Sequence, residues 1–244
     1  MKIWGLFNLR TFLALIISQI AAFITVQFQL KFHLDLLLFS LCVVFPLHFS
    51  LQAAFKRRDR ALEYFSVFKA GVLALNNSFR ISEDLSPEKR TEVRNILNTL
   101  GNQLSHQLEH RIISYGPMKE AVDKIVEFIE KNRESLSNRN VMRMIRYTRD
   151  ITESSVYLIS LIRHRTMIGL RVYAITFILV FPMAQAPILY NRLGDLISTW
   201  AFYLILAIGS LILVTLNNFQ EMIEYPFDKK GMDNIRLQDF SLEI

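Results

Sequence analysis

Phe45 and Phe49 stand one helical turn apart, with Leu38 and Leu41 before them and Gln52 and Lys56 after. Helical steps of three and four residues place all six on one narrow stripe. Along it the side chains change from aliphatic to aromatic to polar to cationic, an order for which a helix facing only lipid has no use. What such a stripe can do is line a narrow aqueous passage. Apolar rings hold back water and ions, and a cationic group below them raises the local anion concentration. Aromatic edges carry the positive part of the ring quadrupole and can meet a partly dehydrated anion. Ordinary helix packing is the alternative use of Phe45 and Phe49, and a topology signal alone is the alternative for Lys56 and Arg60. His48, beside the stripe, is either a modulator of flow or a neutral ring bonded to a neighbouring helix.

The elements that must position this stripe are apolar runs. Of the 244 residues, 52% are hydrophobic, too many for an ordinary soluble domain of this size. The excess is local, in four runs near 11–30, 34–55, 172–190 and 196–216, each close to the ~20 residues that cross a ~30 Å hydrocarbon core as a helix. The first exceeds the apolar stretch of a secretory signal and lacks a small-residue cleavage site, so it is expected to stay in the mature protein. Its Ser18, Gln19, Thr25 and Gln27 are expected to face other helices rather than lipid. Pro182, Gln185 and Pro187 predict an irregular third span. The fourth is expected to end at Asn217-Asn218.

The net charge of +6 comes from Lys and Arg beside the runs: Lys2, Arg10, the cluster Lys56-Arg57-Arg58-Asp59-Arg60, then Arg163, Arg165 and Arg171. That placement reads as topology rather than nucleic-acid binding, and it puts both termini and the charged middle of the chain in the cytoplasm. Lys31-Phe32-His33 and Asn191–Asp195 are then the outer turns. Cys42, the single cysteine, permits no disulfide within the chain and no Cys-rich metal site.

The middle of the chain is helical in pattern. Ala61, Phe65, Phe68, Val72, Leu75 and Phe79 alternate steps of four and three, so the second span is expected to continue as one helix to about Ser82–Asp84. Ser86-Pro87-Glu88 reads as a helix start, followed by a buried face of Val93, Leu97, Leu100, Leu104, Leu108 and Ile112 that Gly116-Pro117 should end. Met118, Val122, Ile125 and Ile129 mark a short helix, and Val141, Met144, Thr148, Ile151, Ser155, Leu158 and Ile162 a longer one. His106, Glu109 and His110 have imidazoles four apart but lack a metalloprotease arrangement, so a solvated face is the expected reading. Arg143, Arg146, Arg149, Asp150 and Glu153 read as helix-surface pairs. No nucleophile–base pair or metal framework points to an enzyme. Nor does an inverted repeat or a pair of broken helices point to a moving-helix transporter.

The second span, with Pro46, Phe49 and the extension carrying Arg57, Arg58 and Arg60, resembles the pore helix of the bestrophin family. Glu224-Tyr225-Pro226-Phe227-Asp228, with Asp233-Asn234-Ile235-Arg236-Leu237, resembles the Pro-Phe-Gly and Asp-Leu-Pro-Leu pattern after that family's last span. The resemblance implies a homopentamer passing small anions such as chloride passively through a pore lined by the second span. The family's apolar neck then falls on Phe45, Phe49 and Ala53, with His48 and Gln52 as polar lining and Lys56 and Arg60 at the cytoplasmic mouth. Ala53 stands where the family has a large apolar residue, so the lowest ring would be wider here. The family's calcium clasp needs an acidic run, and this chain has Asp228 followed by Lys229-Lys230. A hard cation wants several oxygen ligands and little competing positive charge, so calcium gating is expected to be absent, with Asp228 and Asp233 the residual candidates. No cofactor is expected.

The expected architecture is an all-α membrane protein of four transmembrane helices with both termini cytoplasmic. It divides as 1–55 for the first two spans, 56–166 for a cytosolic helical bundle, 167–218 for the last two spans and 219–244 for a cytosolic tail. The inner or plasma membrane is the expected location, and lipid, small anions and further copies of the chain the expected partners. A non-conducting membrane scaffold whose bundle binds another protein is the alternative.

Overall fold

A computed structural model describes residues 7–164, 168–194, 196–227 and 235, with the side chains at 36, 38, 39, 168 and 170 outside that description. The helices are α1 (Leu9–Phe28), α2 (Leu36–Ile81), α3 (Pro87–His110), α4 (Gly116–Lys131), α5 (Asn138–Arg163), α6 (Ile168–Leu193) and α7 (Thr199–Ile223). No strand occurs among the described residues. The chain forms two compact units, one from the described residues up to Lys56 and those between Thr166 and Tyr225, the other from those of Arg57–Arg165 with Pro226, Phe227 and Ile235. Helix α2 contributes to both.

The first unit is built inside out relative to a water-soluble domain. On α1 the buried side chains are the small ones, Thr11, Ala14, Ser18, Ala21, Ala22 and Thr25, while Phe12, Ile16, Ile20, Phe23 and Phe28 are exposed. Small residues at these steps let neighbouring helix backbones approach closely, and bulky apolar ones on the far side suit contact with lipid. On α7, Phe202, Leu206 and Ser210 are buried while Trp200, Leu204, Ile208 and Ile212 face outward. In water such a surface would drive association. Helices α1, α6 and α7 pack on one another, and Val43 and Leu47 of α2 join Ala14, Ile178, Phe181, Leu213 and Val214 in one core cluster. Three helices, Leu9–Phe28, Arg171–Leu193 and Thr199–Ile223, are long and apolar enough to cross a membrane.

Of the four polar residues expected to face other helices, Ser18 and Thr25 are buried, and the Gln19 side-chain amide donates to the Tyr203 carbonyl at 3.4 Å. Gln27 is exposed. Helix α6 runs unbroken through Pro182 and Pro187 rather than being irregular. Each proline removes one N–H, and packing against α1 and α7 holds the helix across the gap. Helix α7 continues past Asn217-Asn218 to Ile223. Those amides do not end it because they are buried inside the unit, where Asn218 Nδ2 donates to Thr11 Oγ1 at 3.1 Å.

The second unit has the opposite polarity. Ala61, Phe65, Phe68, Val72, Leu75 and Phe79 of α2 are all buried, against Val93, Leu97, Leu100 and Leu104 of α3, Met118, Val122 and Ile125 of α4, and Met144, Ile151 and Leu158 of α5. Burying each large apolar side chain contributes about 1.5–3 kcal/mol. At Gly71 a Cβ would stand 3.0 Å from Ile151 Cγ1, so α2 and α5 approach closely there and a larger residue needs the Ile151 side chain to give by a few tenths of an ångström. Ser86 caps α3 by accepting from the Lys89 N–H, with Pro87 in the first turn. Helix α3 does not wait for Gly116-Pro117 to end. It stops at His110, where Arg111 takes a left-handed φ of 56° and its N–H returns to the Gln107 carbonyl. Gly116-Pro117 instead opens α4. The buried Gln107 fastens this corner by donating its side-chain amide to the Ser114 carbonyl at 3.1 Å.

Burial raises the phenol of Tyr115, at the start of α4, above its ordinary value; a hydrogen bond with Ser155 opposes this and the Asp123 charge adds to it. The fold therefore favours the neutral phenol. Its contribution to stability is complete below about pH 10, the unfolded value, and is lost as pH rises through the raised folded one. In thermal melts across an alkaline pH series, Tyr115→Phe is expected to flatten the fall in Tm above that pH. A variant whose fall parallels wild type would contradict this.

Candidate functional site

On the first-unit part of α2, one side is packed and the other is open. Val43, Leu47, Ser50 and Ala54 are buried, whereas Leu41, Val44, Phe45, His48, Phe49, Gln52, Ala53 and Lys56 are exposed. The five residues assigned to neck and lining, 45, 48, 49, 52 and 53, thus share the unpacked side with Lys56 of the assigned mouth; Leu38 lies outside the described side chains. Phe45 and Phe49 are 53% and 58% exposed. Their rings stack at 6.3 Å between centroids with an 18° tilt, and the His48 ring meets Phe49 edge-on at 6.0 Å. The open side is therefore not uniformly apolar. It carries an imidazole, an amide and an ammonium beside two aligned aromatic rings.

Pro46 lies within this stretch. Having no N–H, it cannot donate to the carbonyl of Cys42 one turn earlier. The Tyr173 hydroxyl of α6 supplies a donor there, at 3.4 Å from the Cys42 oxygen. Sequence reasoning missed Tyr173. Pro46 announces a freed carbonyl at position 42, but nothing in the chain says which side chain 131 residues away reaches it.

A second polar cluster, also unforeseen, joins three helix ends of the first unit. Arg10 Nη1 lies 2.6 Å from Glu221 Oε1. Arg171 reaches Glu221 at 3.5 Å through Nε and Glu224 at 3.3 Å through Nη2, and the Glu224 side chain is 1% exposed. Beside it, Asn8 Nδ2 donates to Asn218 Oδ1 at 3.1 Å. Arg10 and Arg171 therefore do more than flank span ends: they neutralise carboxylates that α7 carries to the same place.

The remaining candidates separate. Arg60, in the second unit, is exposed with Nη1 3.5 Å from the Tyr157 hydroxyl, whose ring stacks on Tyr64 at 3.6 Å. Arg57 Nη1 donates to the His164 carbonyl. Asp228 and Asp233 lie outside the described residues. His106 and His110 stack at 4.3 Å on an exposed face, but no third ligand joins them: the described residues hold no cluster of three metal-ligating side chains. Arg149 and Glu153 pair at 3.9 Å along α5, the surface contact their spacing implies. Phe227, from the turn-rich tail, packs in the second-unit core with its ring 6.3 Å from that of Phe65, and the Ile235 N–H donates to the Pro226 carbonyl at 2.7 Å.

The outward apolar surface and three long apolar helices define an all-helical integral membrane protein. No protein-family profile and no curated protein matches the sequence. Its fold is that of the bacterial bestrophin homologues. A crystal structure of such a homologue from Klebsiella pneumoniae, obtained by Zn-SAD phasing, aligns with a TM-score of 0.76 at 18% identity, covering 95% of this chain and 93% of that one. A point-mutant form of the same homologue gives 0.76 with the same coverage. A further crystal structure, described as that of a membrane protein, gives 0.75 at 18% identity over 95% of this chain and 93% of that one.

Proposed function

We propose that the chain is a bestrophin-type channel subunit that assembles as a homo-oligomer, a pentamer by analogy with the family, and passes small anions such as chloride through a central pore. The α2 segment ending at Phe55 crosses the membrane as the second of four spans, both termini are cytoplasmic, and the membrane is the plasma or inner membrane. Phe45, Phe49 and Ala53 form the neck, His48 and Gln52 line it, and Lys56 and Arg60 draw anions to the inner mouth. The observation that carries this reading is the composition of the open side of α2: stacked Phe45 and Phe49 beside exposed His48, Gln52 and Lys56. Polar and cationic groups at this depth are costly against lipid and are at home against water. Further copies of α2 around an axis supply that water and cover the exposed rings. Calcium has no part in this reading, because Lys229-Lys230 follow Asp228 where an acidic run would be needed.

A scaffold that binds a protein partner through its helical region draws on the exposed Met142 and Ile145 of α5. Chloride efflux from liposomes containing the purified protein separates the two. Efflux above that of protein-free liposomes is expected. Its absence under every ion, pH and voltage, with the oligomer intact, would favour the scaffold.

A further inference from the structure

We infer that Tyr173 is a positioning residue for the aromatic pair on α2, holding the helix at the hydrogen-bond gap that Pro46 opens. The inference rests on the channel reading for its functional consequence but on local geometry for its substance. A proline inside a helix removes one i→i−4 bond and crowds the preceding turn, which leaves a point where the helix bends at low cost. Here the orphaned acceptor is the Cys42 carbonyl, and the gap falls between Leu41 and Phe49, the stretch that carries the rings. The Tyr173 hydroxyl donates to that carbonyl at 3.4 Å. The Tyr173 ring is itself fixed against Phe177, 4.2 Å away between centroids, and Phe177 packs on the cluster that holds Val43 and Leu47. The donor is thus carried by a helix already locked to the buried side of α2.

With the bond made, α2 is pinned one turn before Phe45 and two before Phe49, and the two rings keep their stacked spacing. With it broken, the turn from Cys42 to Pro46 opens and Phe49, beyond the gap, swings relative to Phe45. Tyr173 therefore sets the width of the passage from a position outside it. Tyrosine meets this need because a rigid apolar ring packs on α6 while its hydroxyl supplies the missing donor.

The chain carries its own reporter, since Cys42 is exposed and is the single cysteine. The reaction of N-ethylmaleimide with Cys42 in the detergent-purified full-length oligomer reads how open that turn is. Tyr173→Phe keeps the ring and removes the hydroxyl. It is expected to speed labelling about two- to tenfold, the range that the net worth of one hydrogen bond supplies. Pro46→Ala restores the N–H that bonds Cys42 within the helix, so in that background Tyr173→Phe is expected to leave the labelling rate unchanged. This dependence on Pro46 separates positioning through the gap from a general loosening of α6, which would speed labelling in both backgrounds. An equal effect in the two backgrounds, or no effect in either, overturns the inference. Chloride efflux measured on the same variants keeps the two readings distinct. Labelling that follows the cycle without any efflux upholds the Tyr173 contact and removes the channel. Efflux with labelling indifferent to Tyr173→Phe does the reverse.

Discussion

Phe49→Ala is expected to raise chloride efflux about tenfold, which corresponds to about 1.4 kcal/mol off the barrier to passage. The argument is one of hydration. An apolar ring narrow enough to dry out stops ions by withholding the water that would solvate them, and a small gain in radius refills it. Ala53 already offers only a methyl group on this side of α2, so two aromatic positions set the constriction, and removing one leaves Phe45 alone. The stacked partner matters as well: without Phe49 the Phe45 ring loses the neighbour 6.3 Å away that holds its orientation. Selectivity among anions of different size is expected to fall with the gain in rate. The control is Phe23→Ala on α1, an aromatic side chain as exposed as Phe49, at 59% against 58%, yet on a helix other than α2. It is expected to leave efflux unchanged. Should the two substitutions act alike, the aromatic pair has no special relation to a pore.

Arg171→Met is expected to cost about 3 kcal/mol of stability. Glu224 is 1% exposed and 3.3 Å from the Arg171 guanidinium. Taking away one partner of a buried pair costs about 3–5 kcal/mol, because a desolvated charge is left behind. Arg171 is itself 30% exposed, so water compensates in part, and the lower end of that range is expected. Arg10→Met breaks a pair whose side chains are 47% and 24% exposed and should cost no more than about 1 kcal/mol. Thermal unfolding of the purified protein in detergent reads both. The diagnostic variant is Arg171→Met with Glu224→Leu, which removes both charges and is expected to recover most of the loss. A double variant no more stable than Arg171→Met alone would mean that Arg171 acts through its packing.

The sequence was most legible where periodicity and burial coincide. The stripe from Ala61 to Phe79 fixes both the continuation of α2 and its buried face, because a step pattern of four and three has one helical solution. Ser86-Pro87 marks the start of α3 by local chemistry alone. The ends of helices that close without glycine were not legible. Gln29 and Arg111 both adopt left-handed φ, at 48° and 56°, and neither residue type announces it. The exit read at Asn217-Asn218 does not coincide with the end of α7, and the partners Asn8 and Thr11, more than 200 residues earlier, receive the Asn218 amide inside the unit. The five positions assigned to neck and lining share one open side because a single helix carries them. The tyrosine that supports that helix from α6 left no local trace, since a contact across 131 residues has no periodic signature.

The cluster at the ends of α1, α6 and α7 has a consequence for biogenesis. Asn8 and Arg10 are made 210 and 211 residues ahead of their partners Asn218 and Glu221. Until α7 leaves the ribosome, α1 has α6 but not α7 to pack on within this unit, and the Asn8 and Arg10 end lacks its polar partners. A pause or truncation before Glu221 therefore strands an intermediate whose α1 and α6 can meet while the carboxylates that close the cluster are still missing.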